Sequence, residues 1–143
     1  MDNGKGILQC DDQVCKGFVI AGGMTRVGNS DKGLDRKRKE AHGKLLSLKS
    51  RVYEAFLQME KAAFSDGALP KKAKELIAVG ISVTIDCESC MQWHIEQAAA
   101  AGASMREVLE AVEVGIEMGG GPATVSARFA LEVMERAFPD QVG

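Results

Sequence analysis

The sequence predicts an all-α protein of about five to six helices behind a glycine-rich, irregular N-terminal segment. Three observations carry that expectation. Apolar residues recur at three- and four-residue intervals over most of residues 34–138. Aromatics are sparse at 5% while alanine, leucine, valine and methionine dominate, a composition that suits close-packed helices better than a β-sandwich. Helix start and stop chemistry also punctuates the chain at the points where the periodicity changes.

Residues 1–33 form the first segment, which carries seven of the sixteen glycines around one apolar island, Phe18-Val19-Ile20-Ala21. Glycine disfavours helix there, and the island reads either as a short strand or arm laid on a partner subunit or as part of a mobile tail. Residues 34–143 form the helical domain. Between Leu34 and about Phe64, the residues Leu45, Leu48, Val52, Ala55, Phe56, Met59 and Ala63 share one stripe, which predicts a helix with that face in the core. Lys32, Arg36, Lys37, Arg38 and Lys39 open it, interleaved with Asp35 and Glu40, the pattern of a solvated helix start rather than of an anion site.

Ser65 to Pro70 is turn chemistry, and Pro70 suits the first turn of a helix running from Lys71 toward Ile85. Its second half is rich in β-branched residues and also fits a strand; helical neighbours and the lack of a partner strand favour a fully buried helix. Asp86 then serves as N-cap and Cys87 as the first residue of a helix that runs through the alanines at 98–101 to Gly102. Ser104 to Glu107 spells a capping box for the next helix, whose core side is Val108, Leu109, Val112 and Ile116. Gly119-Gly120-Gly121-Pro122 breaks that helix, and a final one, ended by Pro139, buries Val125, Phe129, Val133 and Met134.

Bulk properties exclude several classes of function. A net charge of −2 gives no electrostatic reason to expect nucleic acid or an anionic membrane as a partner. No stretch approaches a membrane span, and the start MDNGKGILQCDD lacks the apolar run of a signal peptide. The expected setting is therefore cytoplasmic and reducing, where the four cysteines are reactive or metal-binding rather than structural staples.

Chemistry concentrates between Glu75 and His94, a stretch holding two of the four cysteines, one of the two histidines and the only tryptophan. On a helix, Cys87, Cys90 and His94 fall at i, i+3 and i+7 and share one face. A helix start favours thiolate through its free N–H groups and its dipole. His94, four residues past Cys90, is placed to exchange a proton with it directly or through one water. The two cysteine Cβ atoms lie roughly 5–6 Å apart at this spacing, so a modest relaxation of the first turn lets them join. Glu75 reads either as a carboxylate orienting His94 or as a surface carboxylate among Lys71, Lys72 and Lys74. Trp93 reads as a core or interface anchor.

The pattern of Glu75, eleven residues, then Cys87, Cys90 and His94 as C-x-x-C-x-x-x-H resembles the AhpD-like (alkylhydroperoxidase D-like) proteins of the carboxymuconolactone decarboxylase superfamily. The resemblance covers about residues 40–138, including the alanine-rich end of the cysteine helix and the GGGPA segment at 119–123. It implies an AhpD-like helical bundle, assembly as a homo-oligomer (trimer or hexamer), and peroxide-reducing or disulfide-exchanging activity without metal or organic cofactor. By position, Cys90 would be the peroxidatic nucleophile, Cys87 the proton donor and resolving thiol, and His94 with Glu75 the proton relay. Electrons would come from a lipoyl-bearing or thioredoxin-like protein dithiol, or the partner would be a peroxiredoxin. At Ser89 the chain departs from the best-known members, which carry a further histidine there. Cys10 and Cys15 lie outside the pattern.

The leading expectation is a cytoplasmic thiol peroxidase or disulfide oxidoreductase acting on alkyl hydroperoxides or on a partner's disulfide. One alternative is a decarboxylase acting on a lactone acid, with His94 as its acid or base. Another is a non-catalytic helical interaction module whose cysteines bind zinc, Cys10 and Cys15 joining Cys87 and Cys90.

Overall fold

A computed structural model describes residues 30–141; Cys10, Cys15 and the apolar island at 18–21 lie outside them. Five α-helices follow in order: α1 (Ser30–Ser47), α2 (Arg51–Ala63), α3 (Lys71–Thr84), α4 (Glu88–Ala100) and α5 (Met105–Ala137), with a short 3₁₀ turn at Pro139–Gln141. The all-α class expected from the sequence is the class observed, and the described residues contain no strand. Among them, no helix is long and apolar enough to cross a membrane.

The core is built by α3, α4 and α5. Val79 and Val83 of α3, Met91, Ile95 and Ala98 of α4, and Val108, Val112, Ala130 and Val133 of α5 are at most 1% exposed. Helices α3 and α5 approach backbone to backbone. A Cβ on Gly115 would stand 2.6 Å from the carbonyl oxygen of Gly80, and one on Gly80 would stand 3.0 Å from that of Ala111. Two glycines facing each other remove the side chains that would hold the axes apart, which is why α3 lies so deep against α5.

Cap chemistry sets the boundaries. The Ser104 side chain accepts from the Glu107 N–H while the Glu107 carboxylate accepts from the Ser104 N–H at 2.8 Å, so both arms of the capping box form. Glu107 also accepts from Lys72 of α3 at 2.8 Å. Gly102, at φ 83, ends the α4 region in the left-handed conformation that glycine adopts without strain. The GGGP segment breaks helical geometry at Gly120 (φ 63, ψ −149), so α5 is two helical runs joined across a kink.

Four expectations are corrected. The single helix expected over 34–64 is two helices, because Lys49 turns left-handed (φ 53) and Ser50 caps α2 by accepting from the Tyr53 N–H. The stripe of that region is not core: Leu48 is 68%, Val52 83% and Met59 62% exposed, and α2 buries no residue. The periodicity is real, but α2 meets the α3–α5 bundle along α4 through Glu60 and Phe64 and leaves its apolar stripe largely open. Helix α3 is not fully buried either, since Ile77, Ile81 and Ile85 are exposed and line an apolar groove of about 580 Å³ with Val114 and Met118 of α5. In the second run of α5 the inward face belongs to Ala123, Ser126, Ala127 and Ala130 rather than to Val125, which is exposed; Phe129 is half-buried.

Two outcomes follow from these contacts. Gly115→Ala drives a methyl group into the Gly80 carbonyl and is expected to cost about 1–3 kcal/mol in urea unfolding, whereas Gly43→Ala, in open space, costs nothing of the kind. The Glu107 carboxyl is held down from 4.5 to about 2, first by the Lys72 ammonium and then by the Ser104 backbone N–H. A depressed carboxyl stabilises the fold above its unfolded value and loses that contribution on acidification. The melting-temperature gap between wild type and Glu107→Gln should therefore be full at pH 7 and close as pH falls from 4.5 toward about 2.

Candidate active site

The turn between α3 and α4 presents the cysteines. Asp86 sits in the left-handed region (φ 56), and its carboxylate accepts from the Ser126 hydroxyl of α5 at 2.6 Å, which ties the turn to the bundle. Cys87 then takes the N-cap position expected for Asp86, its Sγ accepting from the Cys90 N–H at 3.3 Å. A residue in left-handed geometry cannot cap a helix, so the cap moves one residue on. Cys87 and Cys90 are joined in a disulfide, their Cα atoms 5.2 Å apart. The helix start that holds them offers unpaired N–H groups and the positive end of the α4 dipole, conditions that favour thiolate when the bond is reduced.

One turn further along α4, His94 Nδ1 lies 2.8 Å from Glu75 Oε2 of α3. Glu75 is 2% exposed, which excludes its reading as a surface carboxylate. An ionised carboxylate only accepts, so Nδ1 is the ring nitrogen placed to donate to Glu75. Phe64, the C-cap of α2, stacks on the imidazole at 5.0 Å between centroids. No direct hydrogen bond joins His94 to Cys90.

Cys90 and His94 both line a cavity of about 640 Å³ walled by α1, α2 and α4; Cys87 does not line it. Trp93 stands between the three helices as an anchor: its Nε1–H donates to Glu60 of α2 at 3.0 Å, and Arg38 of α1 lies 4.5 Å over its ring. Phe56 and Met59 add apolar wall. The structure thus unites Glu75 with His94 and sets His94 beside Cys90 on one cavity.

Several contributors escaped the sequence. Arg38 sat in a basic run read as solvated, and it does pair with Asp35 at 2.8 Å, but its guanidinium also covers Trp93. Glu60 and Phe64 belong to a helix whose packing no local pattern gives. Among the described residues, no group of three or more histidine, cysteine, aspartate or glutamate side chains is arranged to hold a metal ion.

Residues 50–133 match the carboxymuconolactone decarboxylase family, and the chain belongs to that family as an AhpD-like member of its superfamily. Uncharacterized protein 4 in the cox locus of Paracoccus denitrificans is 38% identical over 84 residues, 59% of this chain and 76% of the relative. An uncharacterized protein of Cupriavidus necator is 43% identical over 77 residues, 54% of this chain and 68% of the relative. Among solved structures, apo carboxymuconolactone decarboxylase family protein of Legionella pneumophila superposes with a TM-score of 0.72 at 30% identity, covering 77% of this chain and 98% of its own. A protein of Thermotoga maritima superposes with a TM-score of 0.68 at 28% identity, covering 73% and 92%.

Cys87 and Cys90 are both half-buried, but only Cys90 shares the cavity with His94, so iodoacetamide applied to the reduced protein should modify Cys90 before Cys87. Peptide mass mapping over a time course checks the order; equal rates would show that the cavity does not govern reactivity.

Proposed function

We propose that the protein is a thiol-dependent peroxidase or disulfide oxidoreductase of the AhpD-like type. One observation carries this reading: a CxxC pair bonded at a helix start sets Cys90 on one cavity with a histidine backed by a buried carboxylate. In the reduced protein Cys90 passes its proton to His94 Nε2 and attacks a hydroperoxide. An S–O bond forms, the O–O bond breaks, and the alkoxide takes the Cys87 proton and leaves as alcohol. The Cys87 thiolate then attacks the Cys90 sulfenic sulfur; the S–S bond forms and the oxygen leaves as water with the proton held on His94. Two thiols lose two electrons and the peroxide gains them.

A protein dithiol, lipoyl-bearing or thioredoxin-like, returns two electrons and two protons by exchange through Cys90, the sulfur on the cavity; the same route serves exchange with an oxidised partner protein such as a peroxiredoxin. The apolar walls of the cavity favour an alkyl hydroperoxide. The reading places the protein in the cytoplasm, where dithiol donors are kept reduced. Exposed apolar faces on α2 and along the α3–α5 groove support assembly as a homo-oligomer, a trimer or hexamer.

An organic hydroperoxide added to the reduced protein should yield one Cys87–Cys90 disulfide per chain by mass. Cys90→Ser should lower turnover by a factor of at least about 10³, and Cys87→Ser should let a dimedone-reactive sulfenic acid persist on Cys90. Turnover of a lactone acid that survives loss of both thiols would instead mark a decarboxylase.

A further inference from the structure

Glu75 is buried on α3 with two oxygens to account for. Oε2 accepts from His94. Oε1 faces the Lys71 ammonium, one helical turn earlier, at 3.9 Å. That ammonium does not hang free: it donates to Gln97 Oε1 of α4 at 3.1 Å, and Gln97 stands three residues past His94. Lys71 therefore spans both helices of the histidine–carboxylate pair, with its side chain 42% exposed and its head directed inward. The next lysine, Lys72, is committed elsewhere, to Glu107 of α5 at 2.8 Å.

A buried carboxylate must be paired, or its charge is costly. A neutral imidazole supplies a hydrogen bond but no charge. During the thiol reaction the imidazole becomes cationic and then neutral again, so compensation from His94 comes and goes. Compensation from Lys71 does not.

We propose that Lys71, seated by Gln97, is a positioning residue of the dithiol site: it holds the Glu75 carboxylate charged and oriented, so that His94 keeps Nδ1–H on Glu75 and Nε2 as the base for Cys90. The inference rests on the redox reading of Cys90 and His94. Facing Glu75 are Lys71 from α3, held by Gln97 of α4, and His94; the cavity that His94 shares with Cys90 adds Arg38, Lys39 and His42 from α1, Tyr53 and Glu60 from α2, and the ring of Phe64 at the end of α2.

The test follows Cys90 alkylation by iodoacetamide across pH in the reduced full-length protein, read by peptide mass mapping so that the other cysteines do not interfere. Lys71→Met should raise the midpoint of Cys90 reactivity by about half to one pH unit, or about three- to tenfold slower reaction below the midpoint. Lys71→Arg should restore most of it. In a Glu75→Gln background, Lys71→Met should add nothing, because the lysine acts through the carboxylate. Lys71→Gln gives an independent reading if the methionine variant self-associates. An unmoved midpoint in both Lys71→Met and Lys71→Gln overturns the proposal, as does an equal shift in the Glu75→Gln background, which would make Lys71 a direct electrostatic influence on the thiol. Peroxide turnover is not the readout, so a protein that shows the coupled shift yet forms no disulfide with peroxide would retain the positioning role and lose the peroxidase.

Discussion

The site depends on one buried charge. Glu75 sits between α3 and α4 with almost no access to water, and its two oxygens face His94 and Lys71. This fixes how the two helices meet: α3 must turn the face carrying Lys71 and Glu75 toward the face of α4 carrying His94 and Gln97. The glycine contact between α3 and α5 supplies the other half of the constraint, because it sets α3 against the bundle along its opposite side.

Much of this was legible along the chain, and the reasons are local. Caps and turns are written in adjacent residues, so the Ser104 box, the stop at Gly102 and the break at the GGGP segment could be read directly. The spacing from Glu75 to His94 was legible as a pattern. Its geometry was not, since a carboxylate among three lysines looks like surface until the packing of α3 on α4 buries it. The cap of α4 was misplaced by one residue because nothing in the sequence distinguishes an aspartate before a helix from one held left-handed by a serine forty residues away.

The stripe on α2 shows the opposite failure. Periodicity reports that a face is apolar, not what covers it. Leu48 in the α1–α2 turn and Val52 and Met59 of α2 keep the rhythm of a core helix while standing open in the single chain, and Ile77 and Ile81 of α3 do the same with Ile85 at its C-cap. Both faces stay uncovered by the described residues. The aromatic and charged contacts that close the cavity were hidden for a related reason: Trp93, Glu60, Phe64 and Arg38 come from three helices, and only the tertiary arrangement makes them neighbours.

Helix α2 buries no residue of its own, yet it walls the cavity above Cys90. In terms of local stability, it belongs to the part of the protein that opens first, held to the bundle through the Glu60–Trp93 hydrogen bond and the Phe64–His94 stack. Its amides should lose protection against solvent exchange at a far lower free energy than those of α3 and α5. Cys90 already stands half-buried on that cavity, so reaching its sulfur requires no unfolding of the core, and loosening α2 would change the walls around the thiol without touching its chemistry.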